Sequence, residues 1–247
     1  MQTSKRVALP TPAEADRLEP PAVSFADAAA VIPWRYPARP SGLYRRAGKR
    51  WLDAIVSATL LVVLLPVMLL VAAALFVSSG RPVLFCSQRV GRNGSPIMVW
   101  KFRTMVRDAD NVLQEWQVTR PELAAAYQDK RKLSDDPRIT LLGRLLRKSS
   151  LDELPQLWNV LRGDMSMVGP RPVPRQELEE KYGPLAAQAF AVTPGLTGLW
   201  QVRGRSATGY ADRVRLDCEY AAGGDLMLDL RIMALTVPAI LLGRGAE

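Results

Sequence analysis

AIVSATLLVVLLPVMLLVAAALFV, residues 54–77, is the stretch that decides the architecture. It carries no charge, and Ser57 and Thr59 are its only hydroxyl side chains. About 20 apolar residues suffice to cross a bilayer as a helix, so this segment is read as membrane-inserted rather than as a buried soluble helix. Pro66 stands near its middle. Proline lacks the backbone donor and clashes with the preceding turn, so a kink or break is expected there. Both flanks are basic: Arg45, Arg46, Lys49 and Arg50 before it, Arg81, Arg89, Arg92, Lys101 and Arg103 after it. Basic flanks prefer the cytoplasmic side. A bent, re-entrant hairpin satisfies both flanks, whereas a kinked single span is the ordinary alternative. The residues alone leave the two open.

Outward from this segment the chain changes character twice. Residues 1–42 hold seven prolines (Pro10, Pro12, Pro20, Pro21, Pro33, Pro37 and Pro40) and few structure signals, so a disordered tail is expected. Residues 43–80 form the membrane-inserted part and 81–247 a soluble or interfacial catalytic domain. Short strands are predicted at 83–88 and 97–103, around the turn Gly91-Arg92-Asn93-Gly94. A helix is predicted over 108–130, interrupted by Pro121. Residues 138–148, RITLLGRLLRK, predict an amphipathic helix with Leu142, Leu145 and Leu146 on one face, suited to the headgroup region or to a core-packed surface. Residues 226–242 are apolar but carry Asp229, Arg231 and Pro238, and read as a buried or interfacial helix. The expected fold is therefore mainly α with a small β component: an N-terminal re-entrant membrane helix hairpin, then a cytosolic α/β catalytic domain with interfacial amphipathic helices.

Composition narrows the chemistry. The 247 residues carry 33 Lys and Arg against 24 Asp and Glu, a formal charge of +9, with no histidine. Histidine-based nucleophile pairs and His-ligated metals are excluded. Cys86 and Cys218 cannot form a disulfide framework or a four-cysteine site and read as thiols in a reducing compartment. Acid–base and nucleophilic work then falls mainly to carboxylates. The excess positive charge implies an anionic partner. No Walker loop or dinucleotide fingerprint is present. The basic residues cluster beside the apolar segment, which favours lipid over nucleic acid.

Asp152 and Glu153, in SSLDELPQLWNV, are the candidate catalytic pair. About 100° apart on a helix, they can border one reacting centre, one as nucleophile and one as base or metal ligand. The competing structural reading is a capping box, Ser150-x-x-Glu153. Cations surround the pair: Arg144, Arg147 and Lys148 before it, Arg162 and Arg171 after it. Arg171 lies between Pro170 and Pro172, a restricted backbone that suits a fixed, phosphate-binding guanidinium. Residues 203–206, Arg-Gly-Arg-Ser, add a glycine-flanked arginine pair.

These motifs, with Lys49-Arg50-x-x-Asp53, Gln88-Arg89-Val90-Gly91, Lys101-Phe102-Arg103-Thr104-Met105, Asp136-Pro137-Arg138-Ile139-Thr140, the Gly163-to-Pro172 loop, the stretch from Pro194 to Val202 and Leu228-Asp229-Leu230, carry a resemblance. The chain resembles the bacterial sugar transferases, monotopic phosphoglycosyl transferases acting on polyprenyl phosphate, over about three-quarters of its length. The resemblance implies transfer of a sugar 1-phosphate from a UDP-sugar to polyprenyl phosphate, with release of UMP, as the first membrane step of surface polysaccharide or glycoconjugate synthesis. It implies Asp152 as the nucleophile that forms a phosphosugar–enzyme intermediate, Glu153 in proton transfer or in arranging metal and acceptor, and Mg2+ as cofactor at Asp152. It implies Arg147, Arg205 and Asp229 as phosphate or substrate contacts, to which Arg171, Lys101 and Arg103 are added. The membrane segment is implied to be a re-entrant helix pair bent at Pro66, in the bacterial inner membrane, with the catalytic domain facing the cytoplasm. The additional apolar spans of the larger members are missing before residue 50, so the small, catalytic-domain type is expected, with homo-oligomerisation open. The rival from another class is a membrane-anchored basic protein that binds anionic lipid or polymer without catalysis.

Overall fold

The computed structural model describes residues 42–119, 136–203 and 209–241. Of the expected tail only Gly42 falls among them; the Met1–Pro33 unit lies outside, and the description concerns the Trp34–Glu247 unit. The second half of the expected 108–130 helix also lies outside the described residues.

A π-helical turn, Tyr44–Gly48, leads into α1, Lys49–Ser79, 31 residues long. It is the one helix among the described residues long and apolar enough to cross a membrane. At 1.5 Å per residue a straight helix of this length measures about 46 Å. Helical conformation continues through Pro66, so the proline sits within one helix and not in a loop between two. Gly80 ends it at φ +67°, its N–H returning to the Phe76 carbonyl.

Strands β1 (Leu84–Val90) and β2 (Pro96–Phe102) form an antiparallel hairpin, in register from Leu84 opposite Phe102 to Val90 opposite Pro96. The turn falls at residues 91–95, with Asn93 in the left-handed region, where the sequence signals it. Helix α2 is Ala109–Thr119. Helix α3, Leu141–Lys148, is capped by Thr140, whose hydroxyl accepts the Gly143 N–H at 3.0 Å. It begins three residues later than the sequence suggests because Arg138 is used elsewhere. That guanidinium is 3% exposed, paired with the equally buried Asp136 at 2.7 Å and stacked over Trp116. The leucines divide between two faces: Leu146 is buried and Leu142 packs beside it, whereas Leu141 and Leu145 are exposed. Leu145 therefore leaves the face assigned to it from periodicity.

A 3-10 turn, Leu151–Glu153, leads to α4, Gln156–Arg162, and then β3, Ser166–Val168, which pairs in parallel with β4, Gly195–Thr197. Between those strands lie α5 (Arg175–Glu177) and α6 (Ala186–Ala189); α7 (Leu199–Arg203), α8 (Tyr210–Gly223) and α9 (Leu226–Leu241) complete the helices among the described residues. The architecture is mostly helical with two small sheets, as expected. Cys86 and Cys218 are both free thiols.

Helix α1 is part of the core. Asp53 and Ser57, then Val71 and Leu75, are buried as i, i+4 pairs along one face. Val56, Leu60, Leu61 and Leu64 pack on the cluster of Leu157, Val160 and Met165; Met68 and Ala72 pack on that of Phe102 and Leu146. The opposite face leaves Ile55, Val62, Leu69, Leu70 and Val77 exposed. Both ends of the helix are tied to the same body. The Arg45 guanidinium donates to the carbonyls of Tyr220, Ala221 and Gly224 at the end of α8. Arg50 donates to Val160 and Leu161 at the end of α4, and Asp53 accepts the Met167 N–H at 3.0 Å. At the far end Arg103 donates to the Ser79 and Gly80 carbonyls at 2.7 and 2.9 Å. Arginines at helix C-termini satisfy orphan carbonyls and oppose the dipole.

Candidate active site

The site is assembled where the end of β2, the end of α3 and the 3-10 turn meet. Helix α3 sits tightly on the strand end: a Cβ on Gly143 would come within 2.1 Å of the Thr104 carbonyl, so only glycine allows the approach. That contact delivers Arg147, whose Nε donates to Thr104 Oγ1 at 2.9 Å. Two residues after α3 the chain turns sharply, with Ser150 in the left-handed region at φ +56°. The capping box does not form. Ser150 makes no side-chain cap bond, and the Glu153 carboxylate faces away from the turn to meet Lys101 Nζ at 2.7 Å and Arg171 Nη2 at 3.0 Å.

Asn159 holds this geometry, and the sequence reading misses it. It is fully buried on α4, accepts the Trp100 N–H at 3.1 Å and donates to the Met98 carbonyl at 2.7 Å. It thereby supplies β2 with a backbone partner and fixes the strand one residue short of Lys101. The available signal was an amide inside an otherwise apolar helical run, Leu157-Trp158-Asn159-Val160-Leu161.

The two carboxylates are set apart electrostatically. Burial raises the Asp152 carboxyl to about 6; Lys101 opposes the rise, Glu153 adds to it, and Arg147 and Arg171 oppose it in turn. Burial also acts on Glu153, but Arg171 and Lys101 outweigh it and hold that carboxyl down at about 2. Glu153 reciprocally raises Arg171. Asp152 is thus a buried, poorly solvated carboxylate with cations on several sides, and Glu153 is a permanently ionised clamp between two of them.

Of the residues singled out from sequence, Lys101, Arg147, Asp152, Glu153 and Arg171 come together. Arg103 caps the C-terminal end of α1. Arg205 lies outside the described residues. Asp229, 1% exposed, is hydrogen-bonded to Tyr44 (2.5 Å), Lys49 (2.7 Å) and Tyr220 (2.7 Å), which fastens α9 to the start of α1. Pro66 lies inside α1. Among the described residues no group of three or more acidic or cysteine side chains gathers into a metal cage. With Glu153 occupied by Lys101 and Arg171, Asp152 is the carboxylate left to meet a cation.

A long apolar helix with both ends tied to one domain, and a carboxylate pair ringed by cations on that same domain, make a setting suited to an anionic ligand. The profile of the bacterial sugar transferase family matches residues 44–243, and the chain belongs to that family. It is 44% identical over 80% of its length to the exopolysaccharide production protein ExoY of Sinorhizobium fredii, covering 87% of that protein. It is 39% identical to the UDP-glucose:undecaprenyl-phosphate glucose-1-phosphate transferase of Caulobacter vibrioides, over 82% of this chain and 74% of the other. The undecaprenyl-phosphate galactose phosphotransferase of Salmonella typhimurium is 41% identical over 80% of this chain, which spans 41% of that longer protein.

Proposed function

We propose that the protein transfers a sugar 1-phosphate from a UDP-sugar to polyprenyl phosphate in two steps through Asp152. The observation that carries this is the division of labour between the adjacent carboxylates. In the first step an Asp152 carboxylate oxygen attacks the phosphorus bearing the sugar. The bond from that phosphorus to the UMP oxygen breaks, UMP leaves with the electron pair, and a phosphosugar–Asp152 acyl phosphate remains. In the second step a phosphate oxygen of polyprenyl phosphate attacks the same phosphorus. The bond to Asp152 breaks, the carboxylate is regenerated, and polyprenyl diphosphate sugar is released.

Each surrounding group then has a function. Burial makes Asp152 a stronger nucleophile than a solvated carboxylate, because it is less stabilised as an anion. Arg147, Lys101 and Arg171 attract the diphosphate and stabilise charge developing on the leaving oxygen. Glu153, held near 2, is too weak a base to take a proton at neutral pH; it orients Lys101 and Arg171. A phosphate anion attacking an acyl phosphate needs no proton removed, so no general base is required. Mg2+ fits this donor set, since it favours one or two carboxylates completed by substrate phosphate oxygens. Asp152 with the diphosphate would hold it, and the ion would supply further charge neutralisation.

The protein is read as residing in the bacterial inner membrane by way of a re-entrant α1. Hydrogen bonds from both ends of the helix to one domain support the reading that both lie on one side of a hydrocarbon layer about 30 Å thick. The basic flanks favour the cytoplasm as that side. Exposed Leu141 and Leu145 on α3, with Leu226, Met227, Leu230, Leu235 and Val237 on α9, extend the apolar surface beyond α1. A lipid acceptor and a soluble donor then meet at the membrane surface. The test is UMP release and lipid-linked sugar formation by the purified full chain across a panel of UDP-sugars with polyprenyl phosphate and Mg2+. Wild type is expected to release UMP and to retain label from a donor labelled in the sugar phosphate when acceptor is withheld. Asp152→Asn is expected to lose both. Transfer without any acid-stable intermediate in wild type, or activity in Asp152→Asn, overturns the mechanism.

A further inference from the structure

Arg103 follows β2 directly and is 7% exposed. Its Nη2 caps the last turn of α1, but Nε and Nη1 are buried with no hydrogen-bond partner. An unmade buried hydrogen bond costs about 1–3 kcal/mol, and more for a charged group. A second guanidinium converges on the same point. Arg107 Nη2 lies 2.8 Å from where a Cβ on Gly80 would stand, and Gly80 is the residue whose carbonyl Arg103 engages. The positive φ of Gly80 is what calls for glycine there. Among the described residues neither arginine pairs with an acid, and Arg103 is pushed down from its usual range, by burial first and by the Arg107 charge second. Two like charges converge here, one with two buried unpartnered donors and one exposed to solvent, and an anion would neutralise both.

Its position selects the anion. One turn back on α1, Phe76 and Val77 are 53% and 84% exposed, an apolar surface at the edge of the membrane segment. In the other direction Thr104, next in the chain, bonds Arg147, which feels the Asp152 charge. Along the chain the pair therefore stands between the exposed apolar end of α1 and Thr104, the residue that holds Arg147. Two guanidiniums suit a phosphate monoester, with close to two negative charges at neutral pH, better than the single charge of a phosphodiester headgroup.

We infer that Arg103 and Arg107 receive the phosphate of the polyprenyl phosphate acceptor, with its chain running along Phe76 and Val77. This rests on the reading of Asp152 as the nucleophile, and the experiment separates the two. The full chain in an uncharged detergent is assayed as wild type, Arg107→Gln and Arg103→Lys. Arg107 is exposed, so its loss does not empty the core. Loss of one charge-assisted contact predicts a KM for polyprenyl phosphate raised on the order of tenfold in Arg107→Gln, with the KM for the UDP-sugar within about twofold. In parallel, thermal unfolding is followed with a short-chain polyprenyl phosphate or with phosphatidylglycerol. Stabilisation by polyprenyl phosphate alone, diminished in both variants, supports the site. Equal stabilisation by phosphatidylglycerol, an unchanged acceptor KM, or a parallel rise in both KM values overturns it. If wild type releases no UMP but the variants still lose stabilisation by polyprenyl phosphate, the Asp152 mechanism fails and the site stands.

Discussion

Asp229 offers the sharpest test, because resemblance makes it a substrate contact and the geometry makes it a fastener. Consider Asp229→Ala. The change removes the acceptor for Tyr44 at 2.5 Å and the counter-ion for Lys49 at 2.7 Å. Tyr220 keeps an alternative, the Val168 carbonyl at 2.9 Å, and Lys49 keeps Asp53 at 3.9 Å. Removing one partner of a buried pair costs about 3–5 kcal/mol, and these residual partners place the expected loss near about 3 kcal/mol. For a domain of this size each kcal/mol moves Tm by about 2–4 °C, so the variant should melt roughly 6–12 °C lower. The assay is thermal unfolding of the full chain in detergent, alongside transfer activity well below the melting range. Activity per folded molecule should be largely retained at low temperature. A variant that melts with wild type yet transfers no sugar phosphate would refute the fastening role and restore Asp229 to the substrate.

Other outcomes follow from the site. The Asp152 carboxyl must be ionised to attack, so UMP release in the first step should rise with pH through about 6 and then level off, read from single-turnover rates between pH 5 and 8. Glu153→Gln removes the negative charge shared by Lys101 and Arg171; transfer should fall on the order of 100-fold, as for loss of one preorganised electrostatic group, with the pH limb moving down because Glu153 raises Asp152. Gly143→Ala drives a methyl into the Thr104 carbonyl, and should cut activity while displacing Arg147. Asp217, buried on α8 beside the Tyr182 hydroxyl at 2.7 Å, is raised to about 7 by burial against that bond and the Arg213 charge. Its folded form binds the proton more tightly than the unfolded chain does, so stability falls as pH climbs from about 4 through about 7. Asp217→Asn should flatten that part of the Tm-against-pH curve.

The apolar run, the hairpin around residues 91–94 and the cation-rich carboxylate pair were legible because each is a local pattern. Periodicity found α3 but not its two apolar faces, since both Leu142 with Leu146 and Leu141 with Leu145 repeat at helical spacing, and only packing decides which turns inward. Arg138 was placed at the start of the amphipathic helix because nothing local announces that Asp136 and Trp116 enclose it. The Ser150-x-x-Glu153 pattern matched a capping box, yet the left-handed Ser150 and two distant cations took Glu153 instead. Lys101 and Arg171 lie 52 and 18 residues from Glu153, and no spacing rule reaches that far. The amide of Asn159 inside an apolar run marked it as unusual, but not its role, because its partners belong to another element.

Helix α1 leaves one apolar face exposed and packs the other on Leu157, Val160, Phe102 and Leu146. It is therefore not a detachable anchor. Cutting the chain after residue 80 would not yield a water-soluble catalytic fragment; it would strip the lid from two core clusters and leave the carbonyls at the end of α4 without the Arg50 guanidinium. Nor would a generic transmembrane segment of equal hydrophobicity serve as a graft, since Asp53, Ser57, Val71 and Leu75 are fitted to this domain. Mutational tolerance along α1 should follow the same division: permissive to any apolar side chain on the outward face, and as restrictive as an enzyme interior on the inward one.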